Sequence, residues 1–227
     1  MRPRAVFFDL DDTLIDRAGA FASYVEDLII RHPHAFPESH RAEDVAELHT
    51  LDGRGSTDRT AFCRQVTETF PGLGLSPEEL WDDMSSLLPY FVVPSMGTLA
   101  LVEGLRKRAP VAVVSNGSGR VQRAKLERAC LTPHLPDVFL SGEVGAEKPD
   151  ARIFQAALAR VDRAPEDVLH VGDDPERDIV GASRLGLATC WVSHGRRWPH
   201  GLSPPTFTVE RITGNTKPLA EVLARWT

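Results

Sequence analysis

The sequence predicts an α/β protein whose core is a Rossmann-like, doubly wound parallel sheet with an inserted helical cap domain. Short, continuous apolar runs alternate with helical patterns along most of the chain, as expected for strands covered on both faces. After the first run, about eighty residues with only helical patterns pass before the chain returns at residues 92–94. A structureless loop of that length is implausible in a compact domain, so we expect an inserted helical domain there.

Apolar runs mark the candidate strands of the sheet. Four of them predict buried strands at Ala5–Phe8, Val111–Val114, Val168–Val171 and Ala188–Val192. Two weaker runs predict strands at Val138–Leu140 and Thr206–Val209. Helical patterns in this part of the chain cover about 98–109, 119–130, 151–161, 176–185 and 217–226. Strand, helix and strand at this spacing predict right-handed crossovers between parallel strands.

The insert contains four further helical patterns, separated by proline and glycine, at about 18–31, 40–49, 57–70 and 77–88. We therefore expect a core domain of residues 1–14 and 93–227 and a cap domain of residues 15–92. Charged residues cluster around a glycine-rich turn of the insert: Asp52, Arg54, Asp58 and Arg59. Two interpretations stay open for this cluster, since it could face the site or form a solvated loop.

Composition excludes some classes of protein. The chain has 227 residues, 42% of them hydrophobic and 26% charged, which is ordinary for a globular protein. Its net charge of −6 argues against a general partner of nucleic acids or membrane surfaces. The three cysteines form no recognisable pair, which favours free, mostly buried thiols in a reducing compartment. With no signal peptide and no long apolar run, the expected location is cytoplasmic. Nothing in the sequence indicates an oligomeric state.

The first polar motif follows the first predicted strand. Asp9 ends that strand and Asp11 comes two positions later, at the edge of the sheet where doubly wound folds bind ligands. One carboxylate could attack phosphorus, and a second could protonate the leaving oxygen and later activate water. Thr13 is expected to hydrogen-bond within the tight turn. Taken alone, the motif is also compatible with an acidic helix cap.

Two further motifs offer groups for an anion. Ser115, Asn116 and Gly117 end the next predicted strand and precede a helix, so hydroxyl and backbone N–H groups could cradle a phosphate there. Lys148, one of only four lysines in the chain, precedes another helix. Its ammonium could contact phosphate oxygens and restrain the nucleophile, although a lysine at such a place is more often solvated.

The last motif supplies more carboxylates. Asp173 follows a predicted strand, and Asp178 comes five residues later. Mg²⁺ prefers hard oxygen ligands, so Asp9, Asp173 and the Asp11 carbonyl could bind it. Asp178 would then orient these ligands through hydrogen bonds. The four motifs fall on the same edge of one predicted sheet, which makes chance helix capping a poor explanation for all of them.

This set of motifs resembles the haloacid dehalogenase-like hydrolase superfamily over essentially the whole chain. Its four motifs match, in order, Asp9-x-Asp11-x-Thr13, Ser115, Lys148, and Gly172-Asp173 with Asp178. The insert is similar to the small helical cap of one large branch of that superfamily. Three scaffold stretches are similar to pyrimidine 5′-nucleotidase-type phosphatases of the same branch, namely Arg123–Cys130, Ser141–Pro149 and Gly186–Trp191.

The resemblance implies a role for each matching residue. It implies that Asp9 is the nucleophile and Asp11 the general acid and base, and that Ser115 and Lys148 bind the phosphoryl group. It also implies a Mg²⁺ held by Asp9, the Asp11 backbone and Asp173. The function expected on this basis is hydrolysis of a small phosphorylated metabolite, with nucleoside 5′-monophosphates among the candidates.

Four alternative functions can be compared with the sequence. Cleavage of a phosphonate through a Schiff base in the insert is the least compatible, because residues 15–92 contain no lysine. Dehalogenation of a 2-haloacid needs no leaving-group acid, and members with that activity lack the second aspartate, so Asp11 argues against it. A phosphomutase stays open, because the sequence does not show which acceptor receives the phosphoryl group. A binding module without chemistry would usually have lost a motif residue, and none is missing here.

Overall fold

A computed structural model describes residues 4–226, which contain six parallel strands in one sheet. The strands are β1 (Ala5–Phe8), β2 (Val111–Ser115), β3 (Asp137–Leu140), β4 (Val168–Gly172), β5 (Ala188–Val192) and β6 (Phe207–Val209). Their order is β3-β2-β1-β4-β5-β6. The central strand is thus the first in the chain, which extends the sheet to one side and then to the other. The predicted doubly wound parallel sheet is confirmed.

The chain divides into two compact units. The sheet unit comprises the described parts of Met1–Asp16 and Val93–Thr227, and the helical unit comprises Arg17–Val92. The helical unit contains α1 (Arg17–Arg31), α2 (Arg41–Asp52), α3 (Arg59–Thr69) and α4 (Pro77–Leu87). Helix α4 begins with a capping box, in which Ser76 and Glu79 each satisfy a backbone N–H of the other.

The helices of the sheet unit cover the strands. They are α5 (Met96–Arg106), α6 (Gly119–Arg128), α7 (Ser141–Val144), α8 (Ala151–Val161), α9 (Gly181–Ser183) and α10 (Lys217–Trp226). Helix α8 places one apolar face on the sheet, where Ile153, Phe154 and Ala157 are fully buried in one cluster with Phe7 of β1. All four residues of β1 are fully buried, which explains why its sequence is apolar without alternation.

The segment predicted as a regular helix over 176–185 folds differently. It forms a π-helical turn over Pro175–Val180, followed by the short α9. The Asp174 side chain caps the turn by accepting hydrogen bonds from two backbone N–H groups. The Asp178 carboxylate is buried and accepts a hydrogen bond from the Asp174 N–H at 3.0 Å. Turns of this kind are frequent at functional sites, and this one directs an acidic side chain inward.

The glycine-rich turn of the helical unit is anchored by a buried carboxylate. Asp52 is 1% exposed and forms an ion pair with both Arg17 and Arg59. Its carboxylate also accepts the Gly55 N–H at 2.9 Å. Burial alone would raise the pKa of Asp52, but the two guanidinium groups outweigh it and the pKa is lowered. The interpretation of this cluster as a solvated loop is therefore wrong for Asp52.

The cysteines and the apolar character of the helices were both the subject of expectations from composition. Cys63 and Cys190 are buried and Cys130 is exposed, and all three are free thiols, as predicted. Within residues 4–226, no single helix has the length and apolar character needed to cross a membrane. One bent pair, Pro77–Phe91 with Met96–Arg106, meets that test jointly.

Candidate active site

Polar side chains gather where three neighbouring strands end. Asp9 directly follows β1, and its backbone N–H donates to the Val171 carbonyl of β4 at 2.9 Å. Ser115 is the last residue of β2, and Asp173 directly follows β4. Because β2, β1 and β4 are adjacent and parallel, these three side chains lie at the same edge of the sheet. Ligands of doubly wound folds bind at this edge.

Lys148 is a buried cation that joins two of the carboxylates. Its Nζ lies 2.6 Å from Asp9 Oδ1 and 2.6 Å from Asp178 Oδ1. Burial would lower the pKa of Lys148, but the two carboxylates outweigh it and raise the pKa, so the ammonium is charged. The Asn116 side chain fixes the Lys148 backbone through hydrogen bonds of 2.7 and 3.0 Å to its N–H and carbonyl.

Asp178 is saturated with hydrogen bonds. Its Oδ1 accepts from Lys148 and lies 3.0 Å from His170 Nε2, while its Oδ2 accepts the Asp174 N–H. Burial would raise the pKa of Asp178, but Lys148 and the His170 hydrogen bond lower it below its usual range. Gly172 makes room for this arrangement, because a Cβ there would lie 2.3 Å from the Asp178 Cγ. These contacts fit the predicted orienting role of Asp178.

The remaining carboxylates are crowded and short of positive charge. The pKa of Asp9 is raised to about 7, mainly by burial. The Lys148 ammonium lowers this pKa, but repulsion from Asp178 and Asp11 raises it further, so the attraction of Lys148 only partly offsets the effect of burial. Burial also raises the pKa of Asp173 to about 8, with repulsion from Asp178 and Asp9 adding to the effect. Ionised carboxylates at this distance from one another need an additional cation.

This donor set suits a hard divalent cation. Carboxylate oxygens of Asp9, Asp173 and Asp178 all lie within 4.8 Å of one another, and Mg²⁺ is bound through one or two carboxylates with further oxygen ligands. Since the oxygens of Asp178 are engaged by Lys148, His170 and a backbone N–H, Asp9 and Asp173 are the better ligands. The residues present therefore fit a magnesium ion.

Arg196 and Trp191 hold Asp173 from the side of β5. Arg196 donates to the Asp173 carboxylate at 2.9 Å and to its backbone carbonyl at 2.7 Å. The Trp191 indole N–H donates to the same carbonyl at 2.9 Å. Trp191 also packs edge-on against Trp198 at a centroid distance of 5.0 Å.

Asp11 lies beyond a tight turn and contacts helix α6. Its carboxylate accepts hydrogen bonds from Lys125 at 2.8 and 2.9 Å and from Gln122 at 2.9 Å. The turn is closed by the Leu10 carbonyl, which accepts the N–H groups of residues 13, 14 and 15. The Thr13 hydroxyl is buried and has no hydrogen-bond partner among residues 4–226. The expectation that it holds the turn is wrong, because backbone groups do so instead.

Four polar residues of the site were not found by sequence analysis, namely Gln122, Lys125, His170 and Arg196. Gln122 and Lys125 are three positions apart on α6, so they share one face of the helix. Both are buried, which no local pattern specifies. The one available signal was that Lys125 is one of only four lysines in the chain. His170 lies inside the apolar run of β4, where an interrupting histidine was the available signal.

A parallel sheet with a buried lysine and a cluster of carboxylates at its strand ends is typical of an α/β enzyme that binds a cation at this edge of the sheet. A family model for haloacid dehalogenase-like hydrolases matches residues 3–186. The chain belongs to this family and is a haloacid dehalogenase-like hydrolase, as its motifs predicted.

Several curated relatives of the chain are phosphatases. A ribulose-1,5-bisphosphate 5-phosphatase from Halopiger xanaduensis is 43% identical over 199 residues, which cover 82% of this chain and 82% of that protein. The pyrimidine 5′-nucleotidase YjjG from Escherichia coli is 34% identical over 142 residues. That match covers 62% of this chain and 63% of the relative, which is less than two thirds of its length.

Solved structures share the fold along the whole chain. The HAD-hydrolase YfnB from Bacillus subtilis, solved with bound magnesium, has a TM-score of 0.77 at 22% identity, covering 99% of this chain and 100% of that chain. A 2-haloacid dehalogenase from Pseudomonas syringae has a TM-score of 0.62 at 26% identity, with both chains fully covered. A HAD phosphatase from Thermococcus onnurineus also shares the fold, with a TM-score of 0.67 at 20% identity over 97% of both chains. The fold therefore does not distinguish a phosphatase from a dehalogenase.

Proposed function

We propose that this protein is a magnesium-dependent phosphatase that hydrolyses a small phosphomonoester through an aspartyl-phosphate. The observation that carries the proposal is the placement of Asp9. Asp9 is 6% exposed and directly follows the central strand β1. Its carboxylate lies 2.6 Å from the Lys148 ammonium and within 4.8 Å of the Asp173 carboxylate. A restrained carboxylate beside cationic groups suits attack on an anionic phosphoryl group.

In the proposed reaction, Asp9 attacks phosphorus and a bond forms between its carboxylate oxygen and phosphorus. The ester P–O bond breaks, and the leaving oxygen keeps the electron pair of that bond and accepts a proton from Asp11. Water then attacks the phosphorus of the aspartyl-phosphate, gives its proton to Asp11, and releases phosphate and Asp9. Lys148 offsets the charge of the two anions, and Ser115 and the Asn116 backbone contact the phosphoryl oxygens.

Mg²⁺ bound by Asp9, Asp173 and the Asp11 carbonyl would supply further positive charge near the phosphoryl oxygens. Asp178 supports this arrangement from outside it, through its contact with Lys148. The donor chemistry supports this part of the proposal, since Asp9 and Asp173 are crowded carboxylates with raised pKa values.

The proposal extends to domains, substrate and location. Residues 1–14 and 93–227 would form the catalytic core, and residues 15–92 would form a cap that selects the substrate. The protein would act in the cytoplasm. A nucleoside 5′-monophosphate is the first candidate, because one relative is a pyrimidine 5′-nucleotidase. Other phosphorylated metabolites come next, because another relative acts on a sugar bisphosphate.

The test combines a substrate panel with a nucleophile variant. Nucleoside monophosphates, sugar phosphates and phosphoglycolate are assayed for phosphate release with Mg²⁺ and with EDTA. Asp9→Asn should reduce kcat below about one ten-thousandth of the wild-type value, because it removes the nucleophile. Asp82→Asn, which changes an exposed aspartate of α4, serves as the matched control and should leave kcat unchanged.

Three results would contradict the proposal. Unchanged turnover by Asp9→Asn would exclude the aspartyl-phosphate. Halide release from a 2-haloacid in EDTA, without phosphatase activity, would favour dehalogenation. Conversion of one sugar phosphate into its isomer, without free phosphate, would favour a phosphomutase.

A further inference from the structure

Helix α6 holds the Asp11 carboxylate through two side chains. Lys125 Nζ lies 2.8 and 2.9 Å from the two carboxylate oxygens, and Gln122 Nε2 lies 2.9 Å from Oδ2. Both donors come from one face of the helix, whereas Asp11 follows β1 more than a hundred positions earlier in the chain. We call Gln122 and Lys125 the α6 clamp.

Lys125 is buried at a place where a lysine is costly. Its side chain is 6% exposed, while that of Asp11 is 27% exposed. Burying an ammonium carries a desolvation penalty that is offset only when the charge is paired and hydrogen-bonded. A cation kept at this place and bonded to both oxygens of one carboxylate restricts the orientation of that carboxylate.

Gln122 connects the same carboxylate to the phosphate-binding side of the site. Its amide nitrogen lies 2.9 Å from Asp11 Oδ2, 3.0 Å from Ser115 Oγ and 3.1 Å from the Asn116 carbonyl. A side-chain amide has two N–H donors, so these three acceptors share them. Gln122 is 2% exposed, so packing holds the amide among its partners.

We propose that Lys125 and Gln122 are positioning residues, which hold the Asp11 carboxylate where it protonates the leaving oxygen of the substrate. This inference rests on the proposed phosphatase function. It adds two residues of α6 that act through Asp11 and do not contact the phosphoryl group.

A positioning role has a signature that a purely structural role lacks. An alkoxide leaving group is strongly basic and needs the proton from Asp11, whereas 4-nitrophenolate leaves readily without it. The value of kcat/KM covers steps up to cleavage of the ester bond, so it isolates the acid step from the later attack of water. Loss of the clamp should therefore slow alkyl phosphates much more than 4-nitrophenyl phosphate.

The experiment measures kcat/KM for both substrate types at one pH, on each variant of the full-length protein with Mg²⁺. The alkyl phosphate is the one that the wild type hydrolyses best in the panel above. Lys125→Met should lower kcat/KM for it by about 10-fold to 100-fold, and that for 4-nitrophenyl phosphate by less than about 3-fold. Gln122→Leu should shift the ratio of the two values in the same direction, by less.

Two further variants serve as controls. Lys125→Arg keeps the charge and should keep the ratio closer to that of the wild type than Lys125→Met does. Lys107→Met removes an exposed lysine at the end of α5 and should leave the ratio unchanged. Because both values come from the same sample, a partly folded variant changes neither the ratio nor the conclusion. If Lys125→Met does not fold, Gln122→Leu and Lys125→Arg decide.

Two outcomes overturn the inference. Equal losses for both substrates, at an unchanged ratio, would show that the α6 clamp only stabilises the fold. Faster cleavage of the alkyl phosphate would show that the clamp holds Asp11 away from the leaving oxygen. If the wild type cleaves neither substrate, the proposed function itself has failed, and that result is separate from an unchanged ratio in an active enzyme.

Discussion

Each unit of the molecule contains a buried ionic cluster, and the two clusters have opposite charge balances. In the helical unit, the single carboxylate of Asp52 is paired with two arginines. In the sheet unit, Asp9, Asp173 and Asp178 share two cations, Lys148 and Arg196. The first cluster has more cations than carboxylates, and the second has fewer cations than carboxylates.

The pKa values record this difference. The pKa of Asp52 is lowered by its arginines despite burial, so the cluster is complete without another ion. The pKa values of Asp9 and Asp173 are raised to about 7 and about 8, because burial and mutual repulsion exceed the attraction of the cations. Strongly perturbed carboxylates of this kind are typical of functional sites. We infer that the Asp52 cluster stabilises the helical unit. We infer that the cluster of Asp9, Asp173 and Asp178 has excess negative charge, which a bound cation would neutralise.

The largest effect on stability is expected at the balanced cluster. Asp52→Ala would leave the guanidinium of Arg17, which is 4% exposed, without its carboxylate. Breaking a buried pair costs about 3–5 kcal/mol, and urea denaturation measures this loss. Asp82→Ala, at an exposed position of α4, is the matched control and should cost less than 1 kcal/mol. A loss below 1 kcal/mol for Asp52→Ala would mean that the pair contributes little.

A smaller effect, a gain in stability on binding of Mg²⁺, is expected at the cluster of Asp9, Asp173 and Asp178. Adding Mg²⁺ should stabilise the wild type, by about 2.7 kcal/mol at a concentration one hundred times Kd. Asp173→Asn removes one ligand and one negative charge, so it should be at least as stable as the wild type in EDTA but gain much less from Mg²⁺. Thermal denaturation with and without Mg²⁺ measures both effects. An equal gain in wild type and variant would place the ion elsewhere.

The smallest effect, counted per pH unit, is a dependence of stability on pH, measured without metal. The pKa of Asp173 is about 8 in the folded protein and about 3.9 in an unfolded chain. Between these values the folded state binds more protons, so its stability falls as the pH rises. The wild type should therefore lose stability relative to Asp173→Asn from pH 5 to 8, by at most about 1.4 kcal/mol per pH unit.

The two clusters differ again in the sign of this dependence. Because the pKa of Asp52 is lowered, its contribution is present at neutral pH and is lost only as the pH falls below the unfolded value of about 3.9. Urea denaturation at several pH values, on wild type and Asp173→Asn in EDTA, tests the higher range. A flat difference between the two proteins from pH 5 to 8 would contradict the raised pKa of Asp173.

Sequence patterns predicted the sheet and the motifs because both depend on local signals. Continuous apolar runs identify buried strands, and a polar residue directly after such a run lies at the strand end, as Asp9 and Asp173 do. The proximity of Lys148 to Asp9 could be predicted only from the four motifs together. Its contact joins residues 139 positions apart, which no local pattern specifies.

The missed residues share a physical reason. Lys125 and Asp11 are 114 positions apart, and Arg17 and Asp52 are 35 apart. A charged residue on a helix has the same local pattern whether solvent or a carboxylate faces it, so burial and pairing depend on tertiary packing. Thr13 gives the opposite error, because a local rule assigned its hydroxyl a bond that backbone groups make instead.

The central place of β1 has a consequence for biosynthesis. This strand leaves the ribosome first, but its two neighbours, β2 and β4, begin at Val111 and Val168. At 5–20 residues per second, about 100 residues of chain delay the first pairing by roughly 5–20 s. The helical unit is complete by Val92, so all of its internal partners have been synthesised by then. We therefore expect it to fold while β1, the strand that precedes Asp9, is still an unpaired apolar segment.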